Sequence, residues 1–252
     1  MPEVRWSYLS AWELNELAKR NTVVLVPIGS TEQHGPHLAT GVDDFLVTEV
    51  CQRAAVELAG KLAAVVAPTV WCGIANHHQA FGGTLTFSFS TFASVLADLC
   101  DSFVIAGFSK VVFVNGHGGN ISALNVIANE ISRRSGLRVA TSTYFMECPD
   151  EIAEILDDQD CLMHACEGET SMMMACKPEA VQIDRFQDAT GPSFDFLKSL
   201  RPDLRGVRPF NELTKSGVCG DARRSSAEKG EKIFKACATR LAGRLLGGEP
   251  WS

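Results

Sequence analysis

Four apolar runs punctuate the chain, at 23–28 (Val-Val-Leu-Val-Pro-Ile), 64–70 (Ala-Val-Val-Ala-Pro-Thr-Val), 111–115 (Val-Val-Phe-Val-Asn) and 138–143 (Arg-Val-Ala-Thr-Ser-Thr). They are rich in β-branched residues and nearly continuous in hydrophobicity, the pattern of strands covered on both faces. Between them the apolar spacing turns helical. Over 44–60, Phe45, Val47, Val50, Ala54 and Leu58 fall near one stripe and Gly60 marks a stop. Segments 90–106 and 120–135 read alike, the second ending on Arg133-Arg134-Ser135-Gly136, with basic residues at the negative end of the helix dipole. Strands alternating with helices predict an α/β fold: a three-layer α/β/α sandwich with a mostly parallel central sheet.

The last third is less regular. Residues 186–222 carry Gly191-Pro192, Pro202, Gly206, Pro209 and Gly217 and read as a long loop over the sheet, a length that goes with a functional or interface role. Residues 225–246 read as a closing helix, with Ser225 and Glu228 spaced as a capping box. No internal repeat, low-complexity tract or linker divides the 252 residues, so one domain over 1–252 is expected.

Composition narrows the function classes. Hydrophobic content of 46% with 21% charged residues is that of an ordinary globular protein. A net charge of −7, with no basic cluster longer than Arg223-Arg224, argues against nucleic acid and anionic membrane as partners. The nine cysteines are scattered, odd in number and form no CxxC pair, which suits free thiols in a reducing compartment. The N-terminus has no signal pattern and no apolar run reaches the roughly 18–20 residues that span a bilayer, so a cytoplasmic location is expected.

The chemistry gathers at the ends of the apolar runs. Gly29-Ser30-Thr31-Glu32-Gln33-His34-Gly35-Pro36-His37 follows the first, with Asp43 close behind. Carboxylate and imidazole are the usual ligands of a divalent first-row metal, and a loop leaving a buried strand is where α/β proteins build sites. Glu32 and His34, two apart, point the same way if the backbone stays extended. Asp43 or Asp44 could instead be only the N-cap of the following helix.

All six histidines, His34, His37, His77, His78, His117 and His164, fall at such boundaries rather than within helical stripes. Asn115-Gly116-His117-Gly118-Gly119-Asn120 closes the third run and opens a helix whose free N–H groups favour an oxyanion. A glycine-rich turn with an incidental histidine is the bland alternative, and neither GxGxxG nor a phosphate-binding GxxxxGK[ST] is present. His164-Ala165-Cys166-Glu167-Gly168-Glu169 offers a metal ligand, a proton shuttle and a helix start, although Glu167 and Glu169 could merely favour a helix N-terminus. The spacing is not HExxH. Of His77-His78, one is expected to face the pocket, as against a solvent-exposed turn.

Together, Pro27-Ile28-Gly29-Ser30-Thr31-Glu32-Gln33-His34-Gly35-Pro36-His37-Leu38, Asp43, Asn115-Gly116-His117-Gly118-Gly119-Asn120, Glu167-Gly168-Glu169-Thr170-Ser171 and the late Ser226-Ala227-Glu228-Lys229-Gly230 resemble the creatininase (creatinine amidohydrolase) family. The match runs in order over nearly the whole chain. The resemblance implies the same three-layer fold and a hydrolytic centre with two divalent ions; mixed N/O ligation suits Zn²⁺, Mn²⁺ and Fe²⁺ alike. It implies Glu32, His34, Asp43, His117 and Glu169 as metal ligands, with Asp43 bridging. It further implies His164 as catalytic acid/base beside Glu169, and a homo-oligomer, commonly a hexamer. His78 and the N–H groups around Gly118 and Gly119 are expected to bind a small-molecule substrate and its developing oxyanion. His37 is left as a supporting or structural histidine.

The chain departs from creatininase itself in three places. Gly119 stands where that enzyme has a glutamate ligand, no tryptophan occurs in 155–163 ahead of His164, and Gly82 replaces a proline in the Phe-Pro-Gly-Thr segment. These departures argue against creatinine as substrate. The expected activity is hydrolysis of a small cyclic amide or formamide-type C–N bond. The alternatives are a family branch that trims a peptide precursor or cleaves a C–C bond of a cyclic diketone-like sugar, and a non-catalytic metal- or ligand-binding protein.

Overall fold

The structure is a computed structural model and describes residues 2–157, 159–193 and 208–251. Its centre is a four-stranded, all-parallel sheet of β1 (Val23–Ile28), β2 (Ala64–Val66), β3 (Lys110–Asn115) and β4 (Arg138–Thr143), in the order β2-β1-β3-β4. The crossovers are α2 (Val42–Leu58), α3 (Phe89–Ile105) and α4 (Ile121–Ser135). Two helices precede and follow this core, α1 (Ala11–Ala18) and α7 (Ala227–Leu246), and α5 (Pro149–Ile155) and α6 (Glu167–Cys176) lie between β4 and the C-terminal region.

Period-two alternation sorts the strand side chains onto two faces. Val23 and Leu25 of β1, Val66 of β2, and Val112 and Val114 of β3 pack with residues of α2, α5, α6 and α7. Val24, Val26 and Ile28, Val65, Val111 and Phe113 pack with α3, α4 and part of α1. The three-layer α/β/α sandwich follows directly. Each fully buried Val, Leu, Ile or Phe contributes about 1.5–3 kcal/mol. Such burial over two faces offsets the cost, several kcal/mol per ion, of gathering charge at the carboxyl ends of the strands.

Several local expectations are corrected. The run 64–70 forms a strand only as far as Val66; Val70 makes one isolated parallel bridge to Ile28, and Pro68 between them has no N–H to give a ladder. The strand β4 is not covered on both faces: it is the sheet's last strand and its side chains are exposed or half-buried. The helix 225–246 begins at Ala227, and its N-cap is Ser226, whose Oγ accepts from Lys229 N at 3.2 Å. Ser225 instead donates its hydroxyl to Glu167 O at 3.0 Å.

The expected long loop 186–222 is more structured where it is described. It holds the end of a 3-10 turn (Ile183–Asp188), a helical turn (Phe210–Leu213) and the first residue of a second 3-10 turn (Ala222–Arg224), while 194–207 lie outside the described residues. Phe210, Val218 and Ala222 enter the core on the α2 side. Helix α1, with a complete Ser10–Glu13 capping box, and α5, with Pro149 in its first turn, were not foreseen. None of the nine cysteines forms a disulfide. Among the described residues no helix is long and apolar enough to cross a membrane.

Topology positions the site. From β1 the chain crosses by α2 to β2 on one side, whereas from β3 it crosses by α4 to β4 on the other. The carboxyl ends of β1 and β3 therefore flank a switch point, where adjacent connections leave in opposite directions and open a crevice.

Candidate metal centre

Three elements deliver side chains to that crevice. The loop after β1 brings Glu32 and His34 and is held by the Glu32 N–H donating to Thr40 O at 2.9 Å and by a His34–Leu38 bridge. The turn after β3 brings His117, whose N–H donates to Asn115 Oδ1 at 3.1 Å. Asp43 comes from the first turn of α2, at the end of the buried stripe that continues through Val47, Val50, Ala54 and Leu58. The N-cap of α2 is Gly41, without a side-chain cap bond, so neither Asp43 nor Asp44 caps the helix. Asp43 can reach the crevice because Gly116 has no side chain: a Cβ there would stand 2.9 Å from both Asp43 O and Val47 Cβ.

The first turn of α6 adds Glu169, and the segment before it adds His164. Glu32, His34, Asp43, His117 and Glu169 are all buried, and His164 is 13% exposed at its side chain. Glu32 Oε2 lies 3.1 Å and Asp43 Oδ2 3.3 Å from His117 Nδ1. Asp43 Oδ1 lies 3.3 Å and Glu169 Oε2 3.7 Å from His34 Nε2. Two triads that could each hold a metal ion result, Glu32–Asp43–His117 and His34–Asp43–Glu169, and Asp43 belongs to both. A third grouping, Glu32–His34–His164, abuts them.

Backbone carbonyls orient three of the rings. His34 Nδ1 is 3.1 Å from Glu32 O, His117 Nε2 is 3.1 Å from Ile74 O and His164 Nε2 is 2.8 Å from Gln33 O. A carbonyl oxygen only accepts, so each of these nitrogens carries the hydrogen and the other nitrogen of the neutral ring turns a lone pair inward. Each inward nitrogen meets carboxylate oxygen: His34 Nε2 and His117 Nδ1 as above, and His164 Nδ1 with Glu32 Oε1 at 3.5 Å. Lone pairs facing carboxylates repel unless positive charge lies between them.

The electrostatics say the same. Burial opposes charging of His34, yet Asp43, Glu169 and Glu32 outweigh it and raise its pKa to about 9. Burial likewise opposes charging of His117, but Glu32 and Asp43 push its pKa well above the usual value. Burial, with Asp43 and Glu32 nearby, lifts Glu169 to about 8 against the pull of His34. Protons thus stand in for cations. Glu32 Oε1, His34 Nε2 and Asp43 Oδ2 are buried without a hydrogen-bond partner. Such orphaned atoms on a mixed N/O donor set suit Zn²⁺, Mn²⁺ or Fe²⁺, so these residues fit a pair of divalent ions. His164 behaves otherwise: burial, then His34, His78 and His117, hold its pKa well below the usual value and keep it neutral.

The other predicted positions are also placed. His78 is buried and faces the cluster, its Nε2 3.3 Å from Glu32 Oε1, while the His77 ring stacks on His117 at 5.5 Å. Gly118 and Gly119 lie in a 3-10 turn directly after His117. A Cβ on Gly119 would meet His117 Nε2 and Ile74 O, each at 2.4 Å, so this backbone has no room for a side chain there. Glu169 completes the triad with His34 and Asp43 without help from position 119. His37 pairs through Nε2 with Thr170 Oγ1 at 2.8 Å. Two surface cavities, of about 720 and 830 Å³, open on other faces, against α3 and α4 and against α2 and α7.

Two participants escaped the sequence reading. Gln33, inside the first motif, contacts both His78 and His164. Phe210, buried, sets its ring 4.2 Å from the His78 ring and 4.8 Å from that of His164. Its only signal was an apolar residue after Pro209 in a polar stretch.

Comparison with known proteins agrees with this geometry. The sequence model of the creatininase family, described as creatinine amidohydrolase, matches residues 7–245. The chain is 34% identical over 234 residues to the mycofactocin precursor peptide peptidase of Mycolicibacterium smegmatis, covering 90% of this chain and 86% of that one. It is 27% identical over 260 residues to the creatinine amidohydrolase of Pseudomonas putida, covering 95% and 93%. A solved manganese form of creatininase matches with a TM-score of 0.81 at 25% identity over 99% of this chain and 100% of that one. A Zn–Zn form of a creatininase variant gives 0.79 at 25% identity with the same coverage. The chain is a hydrolase and belongs to the creatininase family.

Proposed function

We propose that the chain is a divalent-metal-dependent hydrolase of an amide-type C–N bond, acting on a small cyclic amide or a formamide. The observation that carries this reading is the division of the Asp43 carboxylate, Oδ1 toward His34 and Oδ2 toward His117, between two complete ligand triads. Glu32, Asp43 and His117 would hold one ion, and His34, Asp43 and Glu169 the other. Such a pair lowers the pKa of water toward neutrality and polarises a carbonyl.

The remaining residues do the positioning and the proton transfer. His164 presents Nδ1 to the centre with its proton fixed on Nε2, takes a proton at Nδ1 as water attacks, and returns it to the leaving nitrogen. A positioned group of this kind contributes about 10²–10⁴-fold. Phe210, packed on His78 and His164, excludes water from that side. The N–H groups of Gly118 and Gly119, in the turn directly after His117, would serve the developing oxyanion.

The second reading is a peptide bond in a short precursor peptide. It is favoured by the greater identity to a peptide peptidase, 34%, than to a creatinine amidohydrolase, 27%. Turnover of formamides, lactams, creatinine and short peptides by protein loaded with Mn²⁺ or Zn²⁺ separates the two. If fully loaded protein hydrolyses none of these C–N bonds, the amidohydrolase reading fails and a non-catalytic binding role takes its place. Assembly as a homo-oligomer belongs to the same proposal. It draws on the exposed apolar side chains Trp12, Ile105 and Val126, and light scattering of the purified chain tests it.

A further inference from the structure

Gln33 lies between two candidate ligands, and its hydrogen bonds can be counted completely. Its Oε1 accepts from Gly35 N–H at 2.9 Å, which fixes the carboxamide with Nε2 as the donor end. Three atoms stand around Nε2: His78 Nδ1 at 2.9 Å, His164 Nε2 at 2.9 Å and Gly217 O at 3.2 Å. Nε2 has two hydrogens. Gly217 O can only accept and takes one. His164 Nε2 carries its own hydrogen, directed at Gln33 O. The second hydrogen therefore goes to His78 Nδ1, which must be the lone-pair nitrogen.

His78 is thereby set opposite to its neighbours. His34, His117 and His164 turn a lone pair toward the carboxylates, whereas His78 turns Nε2–H toward Glu32 Oε1, 3.3 Å away. We propose that Gln33 is a positioning residue: its carboxamide fixes the His78 tautomer, so that His78 faces the Glu32 carboxylate with a hydrogen rather than a lone pair and stays out of the ligand set. The same carboxamide ties down Gly217, where a Cβ would stand 2.1 Å from Gln33 Oε1. The segment carrying Phe210 is thus fastened to the histidines it covers. The assignment deepens the hydrolase reading and rests on it only for its kinetic consequence.

The test is the ¹⁵N NMR signature of the histidine rings in the Zn²⁺-loaded protein, with His78→Gln used to assign the His78 signals. In the unsubstituted protein His78 is expected with Nδ1 unprotonated and Nε2 protonated. In Gln33→Glu, which offers a second acceptor in place of the amide nitrogen, Nδ1 should become the protonated nitrogen. Chelator competition should show metal affinity reduced about 10–100-fold, the usual effect of losing a residue that orients a ligand. A proton on His78 Nδ1 in the unsubstituted protein overturns the proposal even if the variant fails to fold. So does a folded Gln33→Glu variant with an unchanged His78 tautomer or unchanged metal affinity. Neither readout depends on turnover, so loss of the hydrolase reading would register separately, as inactivity of the unsubstituted protein.

Discussion

Asp43 Oδ2 stands 3.3 Å from His117 Nδ1, although Asp43 lies in the first turn of the helix that follows β1 and His117 in the turn after the neighbouring strand β3. The contact crosses the switch point of the sheet. It places the shared carboxylate where both triads need it, and the first prediction follows from it.

Asp43→Asn keeps the size of the side chain but removes the charge common to both triads. Metal content measured on the purified variant should fall from two ions per chain to one or fewer, with turnover lost in parallel. Two tightly held ions in this variant would show that Asp43 does not bridge.

His164→Ala should separate chemistry from binding. Turnover should fall by about 10²–10⁴-fold while both ions remain. A variant that loses an ion would make His164 a ligand through Nδ1, as its place in the Glu32–His34–His164 grouping allows.

The metal-free protein should lose thermal stability as pH rises. His34 is raised in the folded state to about 9 and His117 well above its usual value, so their contribution is complete below the unfolded histidine pKa near 6.5 and is lost as pH rises through the folded value. Glu169, raised from 4.5 to about 8, acts in the same direction over that interval. Melting curves of chelator-treated protein at pH 6.5 and 9 should show the drop. Metal-loaded protein should show a smaller one, because the ions replace those protons. Equal drops with and without metal would contradict this.

Gly119→Ala tests the close approach behind His117. Its Cβ would press on His117 Nε2 and Ile74 O, breaking the bond that turns Nδ1 inward. Metal affinity should fall about 10–100-fold, and stability by about 1–3 kcal/mol from overpacking. Calorimetry of the apo and metal-loaded forms reads both.

The layered fold was legible because burial writes itself into sequence. Val23–Ile28 and residues 111–114 are apolar on both faces, and α2, α3 and α4 repeat their apolar residues at helical spacing. Where burial was partial the reading slipped. Pro68 ends the ladder of β2 early, β4 is an edge, and α1 and α5 bury few of their residues. The Ser225/Ser226 cap was misjudged by one residue because both are good capping residues; packing against α6, where Ser225 donates to Glu167 O, decided between them.

That acids and imidazoles cluster at strand ends is written in the primary sequence, and the order of the motifs points to the family. That information is local: Glu32 with His34, or His164 with Glu169, can be read from a few residues. Folding settles which nitrogen of each ring faces inward and which oxygen of Asp43 meets which triad. Those choices are made by Ile74 O, Gln33 O and the Gln33 carboxamide, and by Gly116 letting α2 settle beside β3. The physical reason is that a hydrogen bond or a backbone close approach between residues tens of positions apart leaves no periodicity in the sequence; it exists only once the sheet has brought the strand ends together.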